Sequence, residues 1–191
     1  MFKYGSVDIE SLEVSTTDRA DVEHIYRPFT LSPDQTPEVP EGQKLYTGSC
    51  HCQAVKYTVI CEEIKEVRTC NCSFCSRVRL LFPQITLSFS AYVQYQQNAD
   101  MWIYPPIPSV DMLGTEEKLT DYLFGLKRAF HGFCGVCGVD VVNRVDLHHI
   151  FKAPVRPVNV RTMNNVVLNG LKIEKVDGWG RNTHPYEPYD V

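Results

Sequence analysis

The stretch "FCGVCGVDVVNRV", residues 133–145, sets a C-x-x-C turn directly against a β-branched run. Gly135 and Gly138 punctuate the turn around Cys134 and Cys137, as two sulfurs converging on one ion require. The run at 139–145 reads as a strand. A second knuckle and strand occur together in "GSCHCQAVKYTVI", residues 48–60. In extended chain, residues i and i+2 share a side, so Cys50 and Cys52 aim at one ion and His51 points away. Gly48 is read as the freedom to turn into that knuckle. Two chelating pairs make a closed four-cysteine site. The loop it spans is long, so the crosslink restricts the unfolded chain substantially.

A third cluster, "TCNCSFCSR" at 69–77, offers Cys70, Cys72 and Cys75. The C-x-C-x-x-C spacing lets three sulfurs converge from one turn, one short of a tetrahedral set. Cys61 is the eighth cysteine. It is either a fourth ligand or a small buried hydrophobe ending its strand, and spacing does not decide between them. Disulfides are the rival use of eight cysteines, but these are bunched in chelating pairs rather than spread.

The chain has 191 residues, 43% of them hydrophobic, which suits a single globular domain. Its net charge is −4 and no Lys/Arg block is present, which disfavours nucleic acid as a partner. No apolar run is long enough for a membrane span. Asp8, Glu10 and Glu13 near the start argue against a secretory signal, so a cytoplasmic location is expected.

Residues 1–44 differ from the rest. Pro33, Pro37 and Pro40 fall within eight residues, which forbids a helix and resists a central strand. An N-terminal extension over 1–44, a zinc-binding domain over 45–180 and a tail over 181–191 are therefore expected. Strand signals lie at 54–60, 86–95, 121–130, 139–145, 157–162 and 165–173, with short helical turns near Thr115 and Asp146. No long 3.6-residue periodicity is present, so a mainly β fold is expected rather than alternating βαβ.

If the tricysteine site stays open, its chemistry follows from its ligands. Three thiolates on a zinc dication make a weak Lewis acid toward water but a good host for a soft sulfur ligand. A thiol held there as thiolate is a nucleophile ready for a carbonyl carbon. Arg68, Arg77 and Arg79 bracket the cluster and are candidates for gripping the carboxylates of an acidic thiol. His131 is a candidate substrate-binding or acid–base group. His148 and His149 lack i,i+4 spacing and are read as structural. Tyr122 and Phe124 are read as core, and Tyr92, Tyr95, Trp102 and Tyr104 as core or pocket lining. "GWGRNTHPYEPYDV", at 178–191, shows no recognisable chemistry.

Taken in order, "GSCHCQAVKYTV", "CNCSFC", "LTDYLFG", "HGFCGVCG" and "VNVR" resemble the glutathione-dependent formaldehyde-activating enzyme family, which includes the centromere protein V domain. The resemblance covers residues 46–180 or so. It implies a zinc-containing β-tent type of fold, with small antiparallel sheets around zinc knuckles and few short helices. It implies a structural zinc on Cys50, Cys52, Cys134 and Cys137, and a catalytic zinc on Cys70, Cys72 and Cys75 with an open position. The implied activity is that of a carbon–sulfur lyase on a thiol, glutathione, and an aldehyde, formaldehyde. A larger carbonyl or thioether substrate is a variant, a homodimer is an option, and the alternative is a non-catalytic zinc-stabilised interaction module. Three places depart from the family pattern. Gln53 stands where the family carries glycine, "SRVRLLF" follows Cys75, and the chain from Cys75 to Cys134 is longer.

Overall fold

The computed structural model describes residues 26–75, 100–124, 127, 129–145 and 154–181. Within them the fold is mainly β, with two sheets. The smaller has the order β1 (Lys44–Ser49), β2 (Lys56–Cys61), β5 (Val110–Asp111), all antiparallel. The larger runs β10 (Lys172–Val176), β3 (Glu66–Cys70), β4 (Trp102–Ile103), β9 (Val158–Asn159), β8 (Asp140–Val145), β7 (Ala129–Cys134), β6 (Leu119–Leu123). Its pairs are antiparallel except β10 on β3, where Val176 sits beside Cys70. One short helix, α1 (Gly178–Arg181), follows β10. No helix among the described residues is long and apolar enough to cross a membrane.

Several segments differ from the sequence expectation. The run 121–130 is not one strand: β6 ends at Leu123, Lys127 takes a left-handed φ of 54°, and β7 begins at Ala129. Of 165–173 only the end is strand, and β10 continues to Val176. Pro33–Gln35 form a 3-10 turn despite the proline density, because a proline at the first helical position has no amide to lose. The turn expected near Thr115 is the 3-10 helix Glu116–Lys118. The strand read at 86–95, the turn near Asp146, and Tyr92, Tyr95, His148 and His149 lie outside the described residues.

The core sits between the sheets. Val55, Tyr57 and Val59 from the smaller sheet meet Val67, Val141, Val142, Val158 and Val160. Alternation along β2 explains part of this, and β-branched side chains suit the pleated surface. Tyr57 is fully buried, and its hydroxyl lies 2.6 Å from Thr162 Oγ1, which satisfies the one polar atom it carries inward. Asn165 closes the free edge of β1. Its Oδ1 accepts from the Thr47 amide at 3.2 Å and its Nδ2 donates to the Leu45 carbonyl at 3.1 Å. That side chain stands in for a neighbouring strand at two positions of the edge.

Gly48 corrects a sequence reading. It lies inside β1 without a left-handed φ, and a Cβ there would fall inside the Tyr57 ring. The glycine makes room for a buried aromatic rather than for a turn. Gly48→Ala is therefore expected to lower stability by about 1–3 kcal/mol through overpacking. Gly42→Ala, at φ +79° in open space, should cost about 1 kcal/mol through backbone strain alone. Urea unfolding midpoints of the two variants check the order.

Candidate metal centres

Cys50 follows β1 and Cys52 lies in the turn before β2, while Cys134 ends β7 and Cys137 sits in the turn before β8. The two knuckles share a backbone pattern. The Cys50 amide donates to the Val55 carbonyl at 3.0 Å, and the Cys134 amide to that of Val139 at 2.9 Å. The Val55 and Val136 amides donate to the sulfurs of Cys50 and Cys134 at 3.3 and 3.4 Å. Two residues relieve the tight turns by adopting left-handed backbone: Gly138 at φ +73° and Gln53 at φ +60°. For glutamine this costs about 1–2 kcal/mol. Its side chain offsets part of that by donating to the Arg27 carbonyl at 2.6 Å.

All four sulfurs lie within 4.8 Å of one another. Cys50 and Cys52 are 3.5 Å apart at sulfur, and Cys52 and Cys134 are 3.7 Å apart. A tetrahedron with metal–sulfur bonds of about 2.3 Å has edges of about 3.8 Å, so the set fits a metal ion. None of the eight cysteines forms a disulfide. Burial holds the Cys50 thiol well above its usual range. At Cys137 burial acts in the same direction, but hydrogen bonds from the Cys52 and Val139 amides and the neighbouring thiols outweigh it and bring the group to about 6. His51 is exposed and stacks on Tyr26 at 6.0 Å, away from the sulfurs.

The second centre joins Cys70, at the end of β3, to Cys72 and Cys75, whose sulfurs also lie within 4.8 Å of one another. The Cys72 amide donates to Cys70 Sγ at 3.4 Å and the Cys75 amide to Cys72 Sγ at 3.5 Å. Hydrogen bonds from Cys70 and Cys75 hold the Cys72 thiol far below its usual range, and hydrogen bonding to its neighbours raises Cys75. Crowded sulfurs of this kind share protons poorly, and a soft cation removes the conflict. No fourth His, Cys, Asp or Glu joins them among the described residues. Cys61 belongs to neither group: it ends β2, opposite Lys44, and packs against the core.

The surroundings hold residues that pattern reading missed. Phe74, inside the C-x-x-C itself, is the hub of an aromatic cluster. Its ring centre lies 4.1 Å from that of His131 and 5.5 Å from those of Tyr122 and Phe124. Tyr122 is 37% exposed, so with Phe124 it forms a wall beside the turn rather than buried core. Gly178, in the stretch read as carrying no chemistry, meets the cluster so closely that a Cβ would collide with Cys70 Sγ. Asp177 ties the approach together, its Oδ1 accepting from Asn71 Nδ2 and the Gly180 amide, each at 3.0 Å. Tyr104 stands under the Arg68 guanidinium at 5.4 Å. Burial, then the nearby Cys70, pushes its hydroxyl up to about 12. Arg68 also pairs with Glu174 at 2.6 Å. Arg77 and Arg79 lie outside the described residues.

A groove of about 580 Å³, lined by Leu45, Tyr46, Ile64, Val166 and Val167 among others, includes none of the seven clustered cysteines.

Two metal ions per chain are expected by elemental analysis. Cys61→Ser should retain both and Cys72→Ser should lose one. Cys134→Ser should lose one and also lower the thermal midpoint steeply, since structural zinc contributes on the order of 10 kcal/mol in small domains. Loss of a metal in Cys61→Ser would overturn the assignment of ligands.

Asp100 gives a pH prediction. Burial, then the charge of Asp140, raises its carboxyl to about 7 from an ordinary 3.8. The folded state thus binds the extra proton between those values, and its stability falls as pH rises from about 4 to about 7. In Asp100→Asn this part of the fall should vanish, read as the difference between wild-type and variant unfolding free energies across that range.

No family model matches the chain. A similar solved structure is the crystal structure of a Rhodobacter sphaeroides protein, a Northeast Structural Genomics target, at 23% identity and a TM-score of 0.48, over 67% of this chain and 99% of that one.

Proposed function

We propose that the protein is a zinc-dependent carbon–sulfur lyase that makes or breaks the adduct of a thiol and an aldehyde, with glutathione, formaldehyde and S-hydroxymethylglutathione as the leading set. The observation that carries the reading is the inequality of the two centres. One has four sulfurs at tetrahedral spacing, and the other has three sulfurs with no fourth protein donor among the described residues. Zinc at the three-sulfur centre supplies an open position for a soft ligand and lowers the proton affinity of a thiol placed there. The family resemblance points the same way, and the left-handed φ of Gln53 falls where that family carries glycine.

The chain's own residues provide the rest. Cys70, Cys72 and Cys75 supply the donor set, and Gly178 lets the α1 backbone close against it. Phe74, Tyr122 and Phe124 form an apolar wall that excludes water from the neighbourhood of a bound carbonyl. In the forward direction the sulfur–carbon bond forms, the carbonyl π bond breaks, and one proton passes from sulfur to oxygen. His131, with its ring against Phe74, is the imidazole placed to carry that proton. Arg68 is already paired with Glu174, so recognition of an acidic thiol falls to Arg77 and Arg79.

Exchange spectroscopy with carbon-13 formaldehyde and glutathione tests the reading. The wild type should accelerate interconversion of free aldehyde and adduct at least about tenfold over buffer, which corresponds to about 1.4 kcal/mol of barrier. Cys72→Ser should fall to the buffer rate and Cys61→Ser should match the wild type. A wild type that accelerates no thiol–aldehyde pair would instead favour a zinc-stabilised interaction module.

A further inference from the structure

Around His131 lie buried polar side chains to which the proposed reaction gives no role of their own. His131 and Asp140 are each 5% exposed and Asn143 is 7% exposed. His131 and Asn143 face each other across β7 and β8. His131 Nδ1 lies 3.6 Å from Asp140 Oδ2, too far for a hydrogen bond but within reach of a small closure. Asn159 Nδ2 binds Asp100 Oδ1 at 3.2 Å and the Asp140 carbonyl at 3.0 Å, so Asp100 is held beside Asp140's strand.

The donors and acceptors do not balance. Both carboxylate oxygens of Asp140, Oδ2 of Asp100 and Oδ1 of Asn143 lack a hydrogen-bond partner, and so does Nδ1 of His131. Of these five atoms only Nδ1 of His131 is able to donate, and the unpartnered Thr69 hydroxyl is a further buried donor. Unpaired buried acceptors are costly, and protons are the means by which carboxyl groups remove the cost. Among the described residues, the charges that act on Asp100 are those of Asp140, His131 and Arg161. Arg161's positive charge opposes protonation of Asp100, whereas Asp140's negative charge favours it. The Phe74 ring, part of the tricysteine turn itself, lies 4.1 Å from that of His131, and the Trp102 ring stands edge-on to His131 at 6.4 Å.

We infer that Asp140 and Asp100 are positioning residues behind His131: Asp100 carries the proton, so that Asp140 stays a carboxylate and fixes the His131 ring as the Nδ1–H tautomer, leaving Nε2 to take and return the proton of the reaction. This rests on the proposed function for the identity of that proton. In the forward reaction Nε2 accepts the thiol proton as the sulfur–carbon bond forms and returns it to the oxygen as the carbonyl π bond breaks, so His131 ends as it began. The carboxylate of Asp140 is the acceptor that selects Nδ1–H. An asparagine in its place can turn its amide N–H toward Nδ1 and select the opposite tautomer, a substitution that in hydrolytic triads leaves geometry intact and lowers turnover sharply.

Nitrogen-15 NMR of histidine-labelled, metal-loaded protein tests this, with the His131 signals assigned by a His131→Gln variant. The wild type should show Nδ1–H at His131, and Asp140→Asn should move it to Nε2–H with the metal content unchanged. Thiol–aldehyde exchange in Asp140→Asn should drop at least about tenfold at neutral pH, with a displaced pH profile. A wild-type Nε2–H tautomer, or the same tautomer in both proteins, overturns the inference whatever the turnover does. If Asp140→Asn does not fold, the wild-type tautomer and the carbon-13 titration of the Asp100 carboxyl remain decisive. An Asp100 titration near the ordinary aspartate value overturns the assignment of the proton to Asp100. A correct tautomer switch in a protein with no exchange activity supports the relay and rejects the proposed reaction, so the two failures are distinct.

Discussion

The convergence of Cys50 and Cys52 with Cys134 and Cys137 is the constraint on which the rest of the structure depends. It pins the turn between β1 and β2 to the turn between β7 and β8, and so joins the smaller sheet to the larger one across 82 residues of chain. The core packs in the space that this junction defines. Tyr57 reaches across it to Thr162, Gly48 recedes to admit the ring, and the valines of β2, β8 and β9 close around them. Metal coordination at four thiolates is strong enough to hold such a junction where a modest core alone would be marginal.

The tricysteine centre is built on a different plan. Its three sulfurs come from the end of β3 and the turn that follows, so they crosslink almost no chain and add little to the fold. What surrounds them differs from the four-cysteine junction. Backbone at Gly178 approaches from the β10 side, the Phe74 cluster lies toward β6 and β7, and charged groups are buried beneath His131. Buried carboxylate oxygens without a hydrogen-bond partner oppose folding. A structure that retains them beside His131 spends stability on a local electrostatic environment.

Much of this was legible in the linear pattern. Sulfur spacing marks which cysteines chelate because a two-residue turn permits only a few directions for their Cβ vectors. Runs of β-branched residues beside each knuckle mark strands, since the pleated surface favours them. The break at Lys127 was harder to read, because "LFGLKRAF" carries the apolar density of a strand and hides the reversal. Strands β4 and β5 escaped because two-residue ladders carry no periodicity, and of the strand read at 157–162 only β9 forms, the rest being a 3-10 turn.

By itself the sequence determined the grouping of seven cysteines into two centres and the β class, because both follow from local spacing and local side-chain shape. Only the tertiary structure decided which of Cys61's two roles holds, why Gly48 is glycine, that Phe74 and Gly178 border the second centre, and that Asp100 and Asp140 gather at His131. Those residues lie on strands and turns far apart in the chain. Their proximity comes from sheet register and from the junction between sheets, and neither leaves a mark on any short stretch of sequence.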